Sequence, residues 1–267
     1  MELPKDFDPI MGDPPREVPL GNAPLLRAIA QVRFPPITGI QNPDFIASFQ
    51  EAIRPDYPVL RGEQVHRIIF AAGSQAQAAP STIWRFHDIS QGWRVSLGSD
   101  FLALETTKYV SRIDFLERFG LLIRSLEDRF HPAMVDRLGI RYIDRVSGNH
   151  VGDLELFLRK EICGVLATPL KSQTNQMLTE ALLNTREGAS LRARWGFLPP
   201  NATIDAAAID PIPEPSWILD LDMFSTSAVL FDADQLSQDA AAYAERIYSF
   251  FRWAVTKEFL AAFGGGA

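Results

Sequence analysis

The segment SRIDFLERFGLLIRSLEDRF limits what this chain can fold into more than any other. Phe115, Leu116, Phe119, Leu122, Ile123, Leu126 and Phe130 recur at helical spacing on one side, and charged residues fill the other. A helix so one-sided needs an equally one-sided surface to cover its stripe. The residues before it supply one. Ile83 to Phe86, Trp93 to Leu97 and Phe101 to Thr106 read as strands separated by HDISQG and GSD, short polar connections that suit antiparallel hairpins.

Upstream of this meander, residues 1 to 24 carry prolines at 4, 9, 14, 15, 19 and 24, which remove backbone donors and forbid helix. They form an extended arm or a loose tail, whose order would have to come from docking. Leu26 to Phe34 reads as a strand stopped by Pro35 and Pro36. Asn42 or Asp44 then caps a helix carrying Phe45, Ile46, Phe49, Ala52 and Ile53. Val65 to Ala71 is the next strand, and AAGSQAQAAPS, without periodicity, reads as a mobile hairpin loop. The order to the end of the amphipathic helix is thus βαββββα.

RLGIRYIDRV, from Arg137 to Val146, opens the same order again. Leu138, Ile140, Tyr142 and Asp144 alternate with Gly139, Arg141, Ile143 and Arg145, so one strand face is largely apolar and the other holds two arginines. Leu154 to Ile162 reads as a helix after an Asp153 cap. Thr174 to Leu183, Leu191 to Phe197 and Trp217 to Phe224 read as strands, with Val229 to Phe231 a candidate for a fourth, and Asp239 to Phe263 as a long closing helix. Residues 198 to 216, LPPNATIDAAAIDPIPEPS, read as a surface excursion, either a binding loop or an insertion. The expected fold is α+β: two βαββββα units, 25–135 and 136–267, forming a curved antiparallel sheet with helices packed on one face, preceded by the Pro-rich arm 1–24. This order resembles the duplicated architecture of the TATA-box-binding-protein-like folds.

Composition limits the function. A formal charge of −7 argues against a general nucleic-acid binder, whose affinity rests on a cationic surface. The single cysteine, Cys163, forms no intrachain disulfide and no thiolate zinc site. The acidic, proline-bearing start lacks the pattern of a secretory signal, no apolar run is long enough to span a membrane, and a cytoplasmic location without membrane association is expected.

No stretch spells out a catalytic, cofactor or metal motif. Five pieces, APLLRAIAQVRFPPI, GWRVSLGSDFLALETTKYVSRIDF, RLGIRYIDRV, WILDLDMF and FFRWAVTKEF, together resemble a sporadically distributed bacterial protein family of unknown function. The resemblance implies no catalytic residues and no cofactor. It suggests an accessory protein of a mobile or defence-associated system.

Strand alternation places the remaining candidates. Leu191, Ala193, Trp195 and Phe197 face the core, as do Trp217, Leu219, Leu221 and Met223, which sends Arg192, Arg194, Asp220 and Asp222 to the opposite face. Arg85, Arg94, Arg141 and Arg145 take that face in the other strands. Arg85, Arg94, Arg141, Arg192 and Arg194 can grip an anion or an acidic partner through guanidinium forks. Asp220 and Asp222, about 7 Å apart on one strand face, can bridge an oxygen-seeking cation or pair with Arg192 and Arg194 in a salt ladder. His66, His87, His131 and His150 are too scattered for a local metal motif. The closing helix shows a wider apolar surface than one sheet face needs, with Tyr248 and Trp253 as interface candidates. The function expected is a non-enzymatic binding protein with a protein partner or a second copy of itself. A nucleic-acid or nucleotide binder, or a metal-dependent enzyme on the arginine face, is the alternative.

Overall fold

The computed structural model describes residues 3–4, 6–69 and 77–265. The chain is α+β, with a large antiparallel sheet. It forms two compact units, neither a contiguous half of the chain: an arm-bearing unit of Met1–Ala28, Ile140–Thr226 and Ala242–Ala267, and a meander unit of Ile29–Gly139 and Ser227–Ala241.

In the meander unit the strands run β2 (Val59–Ile69), β3 (Gln77–His87), β4 (Trp93–Gly98), β5 (Phe101–Thr106) and β1 (Leu25–Arg33). Helix α1 (Pro43–Ile53) starts where the Asn42 side chain accepts the Asp44 N–H and Pro43 fills the first turn. The amphipathic segment is α2 (Arg112–Phe130); the Ser111 hydroxyl accepts the Asp114 N–H, and His131, at φ 46°, turns the chain out of the helix. The expected stripe of α2 is buried except Leu116, and Phe130 stacks on Phe45 and Phe49 of α1.

Three expectations shift here. The strand assigned to Val65–Ala71 begins at Val59, and part of the expected mobile loop is strand from Gln77 onward, paired with β2. Pro80 is tolerated because β4 joins β3 only over Trp84–His87, so β3 has a single neighbour at Pro80. The end of that expected strand, residues 70 and 71, and the rest of the loop through residue 76 lie outside the described residues. Val229–Leu230 is a strand, β11, but it pairs with β6 (Met134–Val135) in a separate two-stranded sheet, so it does not supply a fourth strand after the second unit's short helix.

In the arm-bearing unit the order is β7 (Arg137–Ser147), β10 (Ser216–Ser225), β9 (Ala189–Leu198) and β8 (Met177–Asn184). Trp217, Leu219, Leu221 and Met223 are buried as expected, but so are Ile218 and Asp220, which means that β10 is covered on both faces.

Both expected helices of this unit are broken, for one reason. Leu154–Ile162 becomes α3 (Leu154–Phe157) and α4 (Lys160–Cys163), and the Asp153 side chain makes no cap bond. The closing helix becomes α5 (Ala233–Ala254) and α6 (Lys257–Ala262). At both breaks the backbone turns outward: the Arg159 N–H donates to the Ala254 carbonyl, the Thr256 N–H to the Phe157 carbonyl, and Leu158 bridges Val255. The exchange between two chain segments replaces helical bonds that each would otherwise make alone, and the Thr256 hydroxyl restarts α6 by accepting the Phe259 N–H.

The arm docks on α5 and on the segment after α6. Arg246 of α5, 1% exposed, donates to the carbonyls of Pro9 and Gly12 and pairs with Glu187 at 2.8 Å. The Val18 N–H donates to the Tyr248 hydroxyl, and the Gly21 and Asn22 N–H groups donate to the Gly264 and Phe263 carbonyls.

Candidate functional site

The arginine face of the arm-bearing unit is built around Asp220. Strands β9 and β10 pair with Asp220 opposite Arg194 and Asp222 opposite Arg192, the register a salt ladder requires. Arg141, on β7, meets Asp220 through a two-pronged contact, Nε to Oδ1 at 2.7 Å and Nη2 to Oδ2 at 2.9 Å. Arg194 Nε reaches Oδ2 at 3.0 Å, and its Nη2 also bonds there. One carboxylate, 1% exposed, thus holds two guanidiniums.

A fourth charge comes from the excursion between β9 and β10. Asp205 accepts from Arg141 at 2.8 Å and lies 3.9 Å from Arg194, while the Asp210 carbonyl accepts from Arg145 at 2.6 Å. Ala208 and Ile209 between them are buried. The segment is held in shape by its own bonds, Thr203 Oγ1 to the Ile209 carbonyl and the Ala207 N–H to Asp205. Residues 199–215 are therefore a surface excursion folded against this part of the sheet face, a lid held there through Asp205 and Asp210. Burial opposes the charge of Asp205, but bonds and charge from Arg141, the Ala207 N–H and the charge of Arg194 hold its carboxyl below the usual range. For Arg141, too, burial works against the charge and Asp220 and Asp205 outweigh it.

Two cations and two anions leave this cluster neutral and mutually bonded. Both oxygens of Asp220 are engaged by arginines, so the Asp220 and Asp222 carboxylates do not present a shared cation site. Among the described residues no group of three or more His, Cys, Asp or Glu is placed to hold a metal ion.

The other arginines are arranged differently. Arg192 is exposed, with its guanidinium carbon 5.5 Å from the centre of the Phe224 ring. In the meander unit, Arg85 pairs with Glu63 at 2.8 Å and donates to Ser96 Oγ at 2.6 Å, and Arg94 pairs with Glu105 directly across from it on β5. The interface candidates are engaged within the chain: Tyr248 by the arm, and Trp253 by Phe250, with ring centres 5.3 Å apart, and by Arg159 at 5.6 Å. Among the histidines, burial and then the charge of Arg94 push the His87 imidazole below its ordinary value, His131 ends α2, and the His150 ring lies tilted against Phe157 and Phe263.

Three features were not singled out in the sequence. Asp144 sits on the apolar side of β7, 7% exposed and without a hydrogen bond or ion pair among the described residues; burial, and then the charge of Asp220, push its carboxyl up to about 7. Its place in the Leu138, Ile140, Tyr142 alternation was the available signal. The Arg246–Glu187 pair joins residues far apart in the sequence and left no local signal. Strand β8 is the third: Leu178, Glu180, Leu182 and Asn184 are exposed on one face, and Met177, Thr179, Ala181 and Leu183 are only half-buried on the other.

No protein-family model matches the chain, and no curated protein matches it. No helix among the described residues is long and apolar enough to cross a membrane.

Proposed function

We propose that this protein works by binding another protein, with β8 as its contact edge. The observation that carries the reading is the state of that strand. β8 ends the strand order, so one row of its backbone donors and acceptors has no neighbouring strand, and its eight residues, MLTEALLN, include no proline and a single charge. Leu182 is 62% and Leu178 47% exposed on the same face. Natural sheets guard such edges with charge, proline, bulges or a covering element, because an unguarded edge templates pairing with another chain. Strand β2, which ends the order of the meander unit, carries Arg61 and Glu63 together.

The arginine face supports an anion or nucleic-acid role less well. Arg85, Arg94, Arg141 and Arg194 each have a carboxylate partner within the chain, so an incoming phosphate would have to displace it.

The test is purification of the tagged full chain from its native host at physiological concentration. A second protein in fixed stoichiometry is expected, with recovery lost in the Leu178→Lys, Leu182→Lys double variant while circular dichroism and thermal midpoint stay unchanged. Repeated recovery of the chain alone, as a monomer, would remove the reading.

A further inference from the structure

Resting on that role for β8, we infer that its partner is an extended protein segment that adds to β8 as a further strand and carries a basic residue between two apolar ones. Strand addition uses main-chain hydrogen bonds for affinity and alternate side chains for specificity, so the β8 face states what the added strand should carry. Leu178, Glu180 and Leu182 lie on one face in alternate positions, with the leucines about 13 Å apart along the strand. Apolar residues on the incoming strand would cover the two leucines.

The charge at the centre is unanswered. Glu180 stands opposite Arg194 in the β8–β9 register, and Leu182 opposite Arg192, yet both arginines turn toward β10, Arg194 to Asp220 and Arg192 to the Phe224 ring. The Glu180 side chain makes no hydrogen bond or ion pair among the described residues. A lysine or arginine from the added strand fits there, and opposite charges directly across a strand pair stabilise it.

The same residue argues against a second copy of this chain as the occupant. The antiparallel arrangement that sets Leu178 of one copy against Leu182 of the other also sets Glu180 against Glu180, a like-charge pair at the centre.

The experiment uses the full chain and fluorescein-labelled nonapeptides of alternating threonine, with valine, lysine and valine at the three central outward positions; one control replaces the lysine by glutamate, and another carries N-methyl groups on alternate amides. The lysine peptide is expected to bind at least tenfold tighter than the glutamate peptide by fluorescence anisotropy. Glu180→Lys should reverse that order, and hydrogen exchange of β8 amides should slow with the plain peptide but not with the N-methylated one. Equal binding of the two charge variants, or binding without slowed exchange in β8, would overturn the inference. So would concentration-dependent self-association abolished by Leu182→Lys, which would assign the edge to a second copy. The two readings fail separately: a native complex lost in the Leu178→Lys, Leu182→Lys variant, beside equal binding of the two charge-variant peptides, keeps β8 as the contact edge and removes the basic added strand.

Discussion

In the meander unit, Arg85 and Arg94 stand on neighbouring strands and meet Glu63 and Glu105 in pairs that water still reaches, the four side chains retaining between 21% and 52% exposure. In the arm-bearing unit, Arg141 and Arg194 also stand on strands, but they meet one carboxylate that is 1% exposed and lies beside a folded lid. The sequence pattern is the same in both places, arginine alternating with large apolar residues. What separates them is cover. Water and salt screen the first set, so each pair contributes little; exclusion of water strengthens the second but makes it intolerant of losing a partner.

The largest expected effect comes from removing the shared carboxylate. Asp220→Ala leaves Arg141 and Arg194 with Asp205 alone, and a loss of about 3–5 kcal/mol is expected by chemical denaturation, the cost of uncompensated buried charge. A loss below about 1 kcal/mol would place the covered network in the same class as the exposed pairs and erase the contrast.

The second effect is a pH dependence confined to the covered unit. Burial, and then the charge of Asp220, raise the folded pKa of Asp144 from the ordinary 3.8 to about 7. Between those values the native state binds a proton that the unfolded state has lost, so the stability this group contributes is full below the lower value and falls as pH rises through the upper one. The fall amounts to as much as about 4 kcal/mol across that window. Asp144→Asn should remove this component, and denaturation midpoints measured from pH 4 to pH 8 for both proteins isolate it. Parallel pH profiles in the two proteins would count against an unpaired, protonated Asp144.

The smallest effect belongs to the exposed ladder. Glu105→Gln should cost about 0–1 kcal/mol, and the cost should shrink further at 1 M salt. A loss comparable to that of Asp220→Ala, undiminished by salt, would show that exposure is not what divides the two sets.

Much of this arrangement could be read from the residues, and the part that could not has a common cause. Period-2 alternation placed Arg192, Arg194, Asp220 and Asp222 on one face, and the β9–β10 register pairs them as that reading required. Helical spacing gave α2 with its buried stripe. Missing from the sequence was anything set by contacts between distant segments. Nothing local in LPPNATIDAAAIDPIPEPS says that Asp205 will reach Arg141 and cover the face. Nothing local in Leu154–Ile162 or in the closing helix says that Leu158 and Val255 will exchange backbone bonds and break both helices. The exposure of Leu178 and Leu182 likewise depends on β8 being last in the strand order, which the alternation of a single strand does not report.

The docking of the arm on α5 sets an order of events during synthesis. Arg246 bonds to carbonyls that lie 237 and 234 residues earlier in the chain, and the Tyr248 hydroxyl accepts an N–H from 230 residues earlier. A ribosome delivers residues 3–24 first and their partners on α5 last, so through most of translation the arm has nothing to hold and the buried guanidinium site does not yet exist. Contacts of such separation close late even in a free chain, because the loop entropy is met before any bond forms. Refolding from the complete denatured chain presents both partners at once; synthesis imposes a wait of more than two hundred residues.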